Sequence, residues 1–320
     1  MELNLETSRT YEMGAYIMLI ITALIWAGTW PLGRWLVSEE VGGETIPPMM
    51  IATIRYFLVI WSFFLILKWR EGTLNFKFAK EHYKVLTFMG VMSVTIYQAG
   101  YLIGEYFTAA SDASIIVSCQ PMIVIFISTI LLKMEKISLR KMLGAVIALT
   151  GILLIFGFSP NLNVPDRILG DFLILIAAIS YSVYIVTSRH FLNDCKTGSY
   201  QPSSLYIITW VSFFGFLTTY PVALFLNPEY INLVLYFQVP ERVWLGIVYL
   251  AFISTVAGYW LYLEGVKRLS ASRAAIFQNI VPVFGVILSA LFLGEIIDPL
   301  IHGSSMILII AGITLVQRSE

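Results

Sequence analysis

The sequence predicts an all-α polytopic membrane protein of ten transmembrane helices, arranged as two inverted five-helix repeats. Three observations carry this. Of 320 residues, 58% are hydrophobic and only 12% charged, against about a quarter charged in water-soluble domains. Apolar runs recur at about the 20-residue length that crosses a bilayer as a helix. One such run, SDASIIVSCQPMIVIFISTILLKME from Ser111 to Glu135, has a later twin, SASRAAIFQNIVPVFGVILSALFLGE from Ser270 to Glu295. An offset of 161 positions pairs Ser111 with Ser272, Ala113 with Ala274, Pro121 with Pro282 and Ser128 with Ser289.

Taken in order, the apolar spans fall at 15–37, 46–67, 85–106, 111–132, 140–158, 169–191, 202–226, 243–265, 272–293 and 299–316. They lack the alternation of β-strands, and lipid accepts only internally bonded helices or closed barrels. Short polar connections rich in Gly, Pro, Asn and Asp separate them, as in VGGETIPP (41–48) and SPNLNVPD (159–166). The longer NPEYINLVLYFQVPE (227–241) carries Tyr230, Leu233, Val234 and Phe237, a pattern for a short interfacial helix. The first residues hold Glu2, Glu6 and Glu12 rather than a basic leader, so the first apolar run is expected to be retained. Cys119 falls within a span and Cys195 in a polar connection, which argues against a disulfide between them.

Basic residues gather on alternate connections. Lys68, Arg70, Lys77, Lys80 and Lys84 follow the second span; Lys133, Lys136, Arg140 and Lys141 follow the fourth. Arg189 and Lys196 follow the sixth, and Lys267, Arg268 and Arg273 join the eighth to the ninth. Basic connections mark the cytoplasmic side, so both termini are expected inside an integral plasma membrane protein.

Other spans repeat too. Ala99-Gly100-Tyr101 in span three recurs as Ala257-Gly258-Tyr259 in span eight, 158 positions on, and Trp26 and Arg34 of span one correspond to Tyr181 and Arg189 of span six. Five spans per half make the second half enter from the opposite side. The expected division is 1–158, a linker at 159–168, and 169–320. Inverted repeats of this kind are a plan of secondary transporters, with substrate held near the midplane.

The segments IWAGTWPLGRW (25–35), PPMMIATIRYF (47–57), TAASDASIIVSCQP (108–121), ISTVAGYWLYLEGVKRLSASRAAIFQNIVP (253–282) and FLGE (292–295) resemble the drug/metabolite transporter superfamily, EamA-type, from about 14 to 317. The resemblance implies ten helices around a central cavity and the export or exchange of small polar metabolites, amino acids among them. Two positions depart from the pattern: Trp210 stands near where the first half has Arg55, and Tyr181 replaces a tryptophan.

Charges inside a span cost roughly 2.5–3.5 kcal/mol on insertion scales and need a reason. Arg55 lies eight residues beyond Pro47, about 12 Å along a helix. It is either a dock for a carboxylate or other anion or one side of an ion pair, with Arg34, Glu105 and Asp112 in the same leaflet providing or competing for the partner. Glu264, beside a basic turn, is either a helix-end salt bridge or a proton-coupling group. Substrate contact is expected from Trp26, Trp30, Arg55, Tyr97, Gln98, Tyr101, Gln120, Tyr181, Tyr259 and Gln278; Trp26/Trp30 and Tyr97/Tyr101 are i, i+4 pairs that each share a helix face. The alternative for such stripes is plain packing. Pro121 and Pro282 remove a backbone donor and are expected to bend spans four and nine, as hinges.

No HExxH pair and no glycine-rich nucleotide loop is present, so an enzyme or an ATP-driven pump has no sequence support, and no cofactor or metal is implied. The reading is a secondary active transporter of an amino acid or related metabolite working by alternating access. A nucleotide-sugar or phosphate-ester exchanger is the alternative. The expected partners are a small-molecule substrate and the bilayer, with or without coupled protons, and not nucleic acid, with a monomer or homodimer as the assembly.

Overall fold

A computed structural model describes residues 2–130, 138–160, 166–197, 200–232, 234–269 and 277–317. Regular structure among these residues is entirely helical. Nine helices are long and apolar enough to cross a membrane: span one (Met13–Val37), two (Pro48–Glu71), three (Tyr83–Phe107), four (Ala110–Ser128), five (Leu139–Phe158), six (Arg167–Thr197), seven (Ser204–Leu226), eight (Glu241–Val266) and ten (Pro299–Val316). Ile280–Leu293 is a shorter apolar helix, the described part of span nine. The start of that span, with Arg273, lies outside the described residues, as does Glu135.

Local chemistry sets the helix ends. Span two starts on Pro48, where a missing N–H costs nothing, and stops at Gly72, whose φ of 70° closes the last turn onto Lys68. The basic connection after it folds as a short helix, Phe76–Glu81, started by the Asn75 side chain accepting from Phe78 N–H. The 227–241 connection contains the expected short helix at Val234–Phe237 after a 3-10 turn at Pro228–Ile231. Cys195 is buried in a 3-10 turn at the end of span six rather than in an open connection, and both cysteines are free.

The packing follows a two-fold scheme. Span one packs on eight and span three on six; two packs on seven, four on nine, and five on ten. A correspondence that sends one to six and three to eight turns the first contact into the second, and maps the other three onto themselves. Spans two and four are the most enclosed, five the least. Large outward side chains such as Leu65, Trp69, Leu291 and Phe292 are exposed, as surfaces turned to lipid must be.

Among the described residues five helices depart from uniform α geometry, four of them in matching pairs. Span four breaks at Ser118–Cys119 and span nine at Asn279, each three residues or fewer before its proline. The interruption therefore lies upstream of Pro121 and Pro282, where the proline ring meets the preceding turn. Spans three and eight carry π-helical segments, Val91–Ile96 and Tyr249–Ala257, just before or within their Ala-Gly-Tyr repeats. Span one is also interrupted, at Gly28.

Spans four and nine meet closely. A Cβ on Gly285 would stand 2.7 Å from Ser114 Cβ, so glycine is what lets the backbones approach. At the same end the Glu295 carboxylate accepts from the N–H groups of Ala110 and Ser111, at 2.7 and 2.8 Å. The glutamate that closes one twin helix thus caps the start of the other. Hydrogen bonds to a charged group contribute about 1.5–3 kcal/mol, so Glu295→Ala is expected to lose stability of that order in detergent, read by thermal unfolding. An unchanged melting temperature would mean that the cap contributes nothing.

Candidate functional site

Spans one, three, six and eight bring a closed circuit of aromatic rings to the centre. Trp26 meets Tyr259 at 5.6 Å between centroids. The hydroxyls of Tyr259 and Tyr181 are hydrogen-bonded to each other. Tyr181 meets Tyr97 at 5.0 Å, Tyr97 stacks on Tyr101 at 6.2 Å, and Tyr101 meets Trp30 edge-on at 5.2 Å. Trp30 is one turn beyond Trp26 on span one, which completes the circuit. Polar tips anchor it to backbone: Trp26 Nε1 donates to the Ser254 carbonyl (3.0 Å) and Tyr101 to the Thr29 carbonyl (2.6 Å). Tyr184 and Tyr262 extend it, against Tyr181 and Trp26.

Arg55 flanks this circuit. Its Nε and Nη2 donate to Thr255 Oγ1 at 3.2 and 2.8 Å, and Nη1 donates to Gln98 Oε1 at 3.3 Å. The Gln98 amide in turn donates to Tyr56 Oη at 3.4 Å, and the guanidinium carbon stands 5.9 Å from the Tyr56 ring centre. Arg55 is buried, yet among the described residues its partners are all neutral. The ion-pair alternative for Arg55 is therefore not what the geometry holds. Arg34 and Asp112 are engaged elsewhere, and neither carboxyl oxygen of Glu105 is bonded to Arg55.

Arg34 is fully buried and donates to the backbone carbonyls of Glu105 and Tyr106, while its Nη2 pairs with Glu40 at 2.8 Å. Glu105 was expected among the gate or ion-pair residues. It is fully buried, but neither carboxyl oxygen has a hydrogen-bond partner among the described residues. Span one makes room for it at Gly33, where a Cβ would collide with Oε2 and the Tyr101 hydroxyl. Glu264 pairs with Arg70 of span two at 2.8 Å on a partly exposed face.

Asp112 belongs to a separate buried cluster at the end away from the termini. Arg167 donates to Asp171 at 2.7 Å and to the carbonyls of Ile155 and Phe156, and stands 3.5 Å from Asp112. His302 Nε2 lies 3.2 Å from Asp112 Oδ1, and Thr108 donates to Asp171. Spans four, five, six and ten are held together there. Arg167, Asp171 and His302 are not among the site residues expected from the sequence; the readable signal was the i, i+4 spacing of Arg167 and Asp171.

The remaining amides are peripheral to the circuit. Gln278 Nε2 donates to Tyr262 Oη at 3.1 Å, and Gln278 lines a shallow cleft of about 180 Å³ with Leu19, Thr22, Trp26, Tyr262, Phe277 and Val281. The Gln120 amide nitrogen has no partner among the described residues, although its backbone carbonyl accepts from Ser182 at 3.3 Å. Trp30 and Tyr101 are buried, whereas Trp26, Tyr97, Tyr181 and Tyr259 are half-buried, so the rings touch one another and still keep part of their surface accessible. Among the described residues no group of His, Cys, Asp and Glu is arranged to hold a metal ion.

Comparison with known proteins places these features in context. The EamA-like transporter family matches residues 13–157 and again 168–318. The uncharacterized transporter YetK of Bacillus subtilis is 27% identical over 314 residues, covering 97% of this chain and 89% of the relative. A probable amino-acid metabolite efflux pump of Escherichia coli is 22% identical over 280-odd residues, covering 87% of each chain. A solved structure, titled only as a crystal structure of a protein, superimposes with a TM-score of 0.58 at 16% identity, over 95% of this chain and 97% of its own. That likeness concerns the fold alone.

The Arg167 cluster yields a stability test. Removing one member of a buried ion pair costs about 3–5 kcal/mol because the other charge is stranded. Arg167→Leu, which leaves Asp112 and Asp171 facing each other, is expected to lose stability of that order, measured as the shift in thermal unfolding of detergent-solubilised protein.

Proposed function

Because the chain belongs to the EamA-like transporter family, we propose that it is a secondary active transporter that exports an amino acid or related metabolite by alternating access. The halves are 1–158 and 169–320, joined by 159–168, with both termini cytoplasmic in the cell membrane. The observation that carries this reading is the central circuit: rings from four spans, flanked by a buried guanidinium with neutral partners. Arg55 docks the carboxylate, and Trp26, Trp30, Tyr97, Tyr101, Tyr181 and Tyr259 enclose the rest, with Gln98 holding the guanidinium in place. Gln120 and Gln278 act at the rim. The efflux-pump relative in Escherichia coli is named for amino-acid metabolites, which supports the substrate class. A phosphate ester would call for several cations, and among the described residues Arg55 is the cation whose hydrogen bonds are made beside this circuit.

Spans four and nine pivot at the breaks ahead of Pro121 and Pro282. Their tight contact at Ser114 and Gly285 supports this, since it must loosen or slide for that end to open. Arg34 with Glu40, and Asp112 with Arg167, close the end away from the termini; Arg70 with Glu264 closes the other. Glu105 takes the coupling role in place of Glu264, which is paired with Arg70. Its buried carboxyl adjoins Tyr101 of the circuit and can take up and return a proton. The charged and titratable groups facing it are Arg34 of span one, Tyr101 of its own span and Glu295.

Liposomes holding the purified protein test this with radiolabelled common L-amino acids, each preloaded and added outside. Saturable uptake accelerated by the same compound on the far side is the expected result; uninterrupted single-channel currents would contradict it. Arg55→Ala is expected to weaken transport of a carboxylate substrate about 10- to 100-fold, the equivalent of hydrogen bonds to a charged group. Glu105→Gln, with its proton removed from play, is expected to lose stimulation by a pH gradient while retaining counterflow at equal pH. Undiminished pH stimulation in that variant would remove Glu105 from the coupling.

A further inference from the structure

Arg55 does not point its fork at empty space. The edge that a guanidinium offers to a carboxylate is a pair of N–H groups meeting paired oxygens. Here Nε and Nη2 converge instead on one uncharged oxygen, Thr255 Oγ1, at 3.2 and 2.8 Å. The Thr255 hydroxyl has no freedom to do otherwise. It donates its own proton to the Leu250 carbonyl at 2.7 Å, five residues back within the π segment Tyr249–Ala257. That leaves its lone pairs turned to Arg55. One further N–H on each of Nη1 and Nη2 has no hydrogen bond among the described residues, since a guanidinium has five donors in all.

We propose that Thr255 is a placeholder acceptor, occupying the Arg55 fork until a substrate carboxylate displaces it, so that substrate arrival frees the π segment of span eight. This rests on the reading of Arg55 as the carboxylate dock. The exchange replaces a single neutral acceptor by a charged one whose two oxygens match the guanidinium fork, and such paired N–H···O bonds add both energy and geometric specificity. It also reaches the rings. Tyr259 and Tyr262 lie four and seven residues beyond Thr255, on the same helix face, and they contact Trp26 and, through Tyr259, Tyr181. π segments inside α-helices concentrate at functional positions. Releasing Thr255 from Arg55 unpins the part of span eight that closes the circuit. Docking of a charge and parting of the rings thereby become one event.

The sign of one binding change tests this. The purified full-length protein is titrated with the common L-amino acids and, as controls, with the corresponding amines that lack the carboxylate, by thermal shift and equilibrium binding. Thr255→Val and Thr255→Ala remove the competitor, so both are expected to bind the preferred amino acid several-fold more tightly than wild type and to exchange it more slowly in counterflow. Thr255→Ser keeps the acceptor and is expected to match wild type. Weaker or unchanged binding in the Val and Ala variants would overturn the proposal and leave Thr255 as a support for Arg55. The dock itself is judged separately. A wild-type protein that binds amines as well as amino acids, with Arg55→Lys making no difference, would overturn the reading of Arg55 and this inference with it. If Thr255→Val does not fold, Thr255→Ala decides.

Discussion

Every polar group inside this bundle has to find its partner in the protein, because the surrounding lipid offers none. That constraint explains why the buried charges are arranged as they are. Arg34 spends its donors on two carbonyls at the end of span three and on Glu40. Arg167 reaches two carbonyls of span five, together with Asp171 and Asp112. Both arginines therefore tie together helix ends by reaching carbonyls of the last turn. Glu295 does the reverse service, accepting the first N–H groups of span four.

Against that background the incompletely satisfied groups are informative. Trp30 Nε1, both oxygens of Glu105 and the Gln120 amide nitrogen are buried without partners among the described residues, and Arg55 has only neutral ones. All four residues are on or next to the ring circuit. A buried polar group left unmade costs roughly 1–3 kcal/mol, so these groups carry a cost beside the rings. The same region holds the two π segments and the break at Gly28. Unmet groups also occur at the end away from the termini, at Arg34 Nε, Asp112 Oδ1, His302 Nε2 and Ser305 Oγ among the described residues.

Much of the fold was legible in the sequence because lipid makes it so: apolar length alone marks spans, and the duplicated proline helix marks the inverted halves. The ring circuit was also within reach, since Trp26/Trp30 and Tyr97/Tyr101 are helix-face pairs, and the Ala-Gly-Tyr repeat put Tyr259 where Tyr101 stands. What was not legible depended on contacts between distant spans. The neutral partners of Arg55 come from residues 43 and 200 positions away, and composition favours an acid for a buried arginine. Asp171 and His302 were hidden for the same reason, one within a span taken to be plain and the other near a helix end. The π segments have no pattern of their own, because one extra residue in a turn leaves an apolar run unchanged.

The account turns on a ring-lined centre that opens to one side at a time. Its most direct test is the reactivity of a Tyr181→Cys substitution, made in a chain whose Cys119 and Cys195 are replaced, towards a membrane-impermeant thiol reagent added to either face of oriented vesicles. The account predicts labelling from each face in separate populations, with the ratio between faces shifted by a transported amino acid. Simultaneous labelling from both faces of the same molecules, or labelling indifferent to every amino acid, would contradict it.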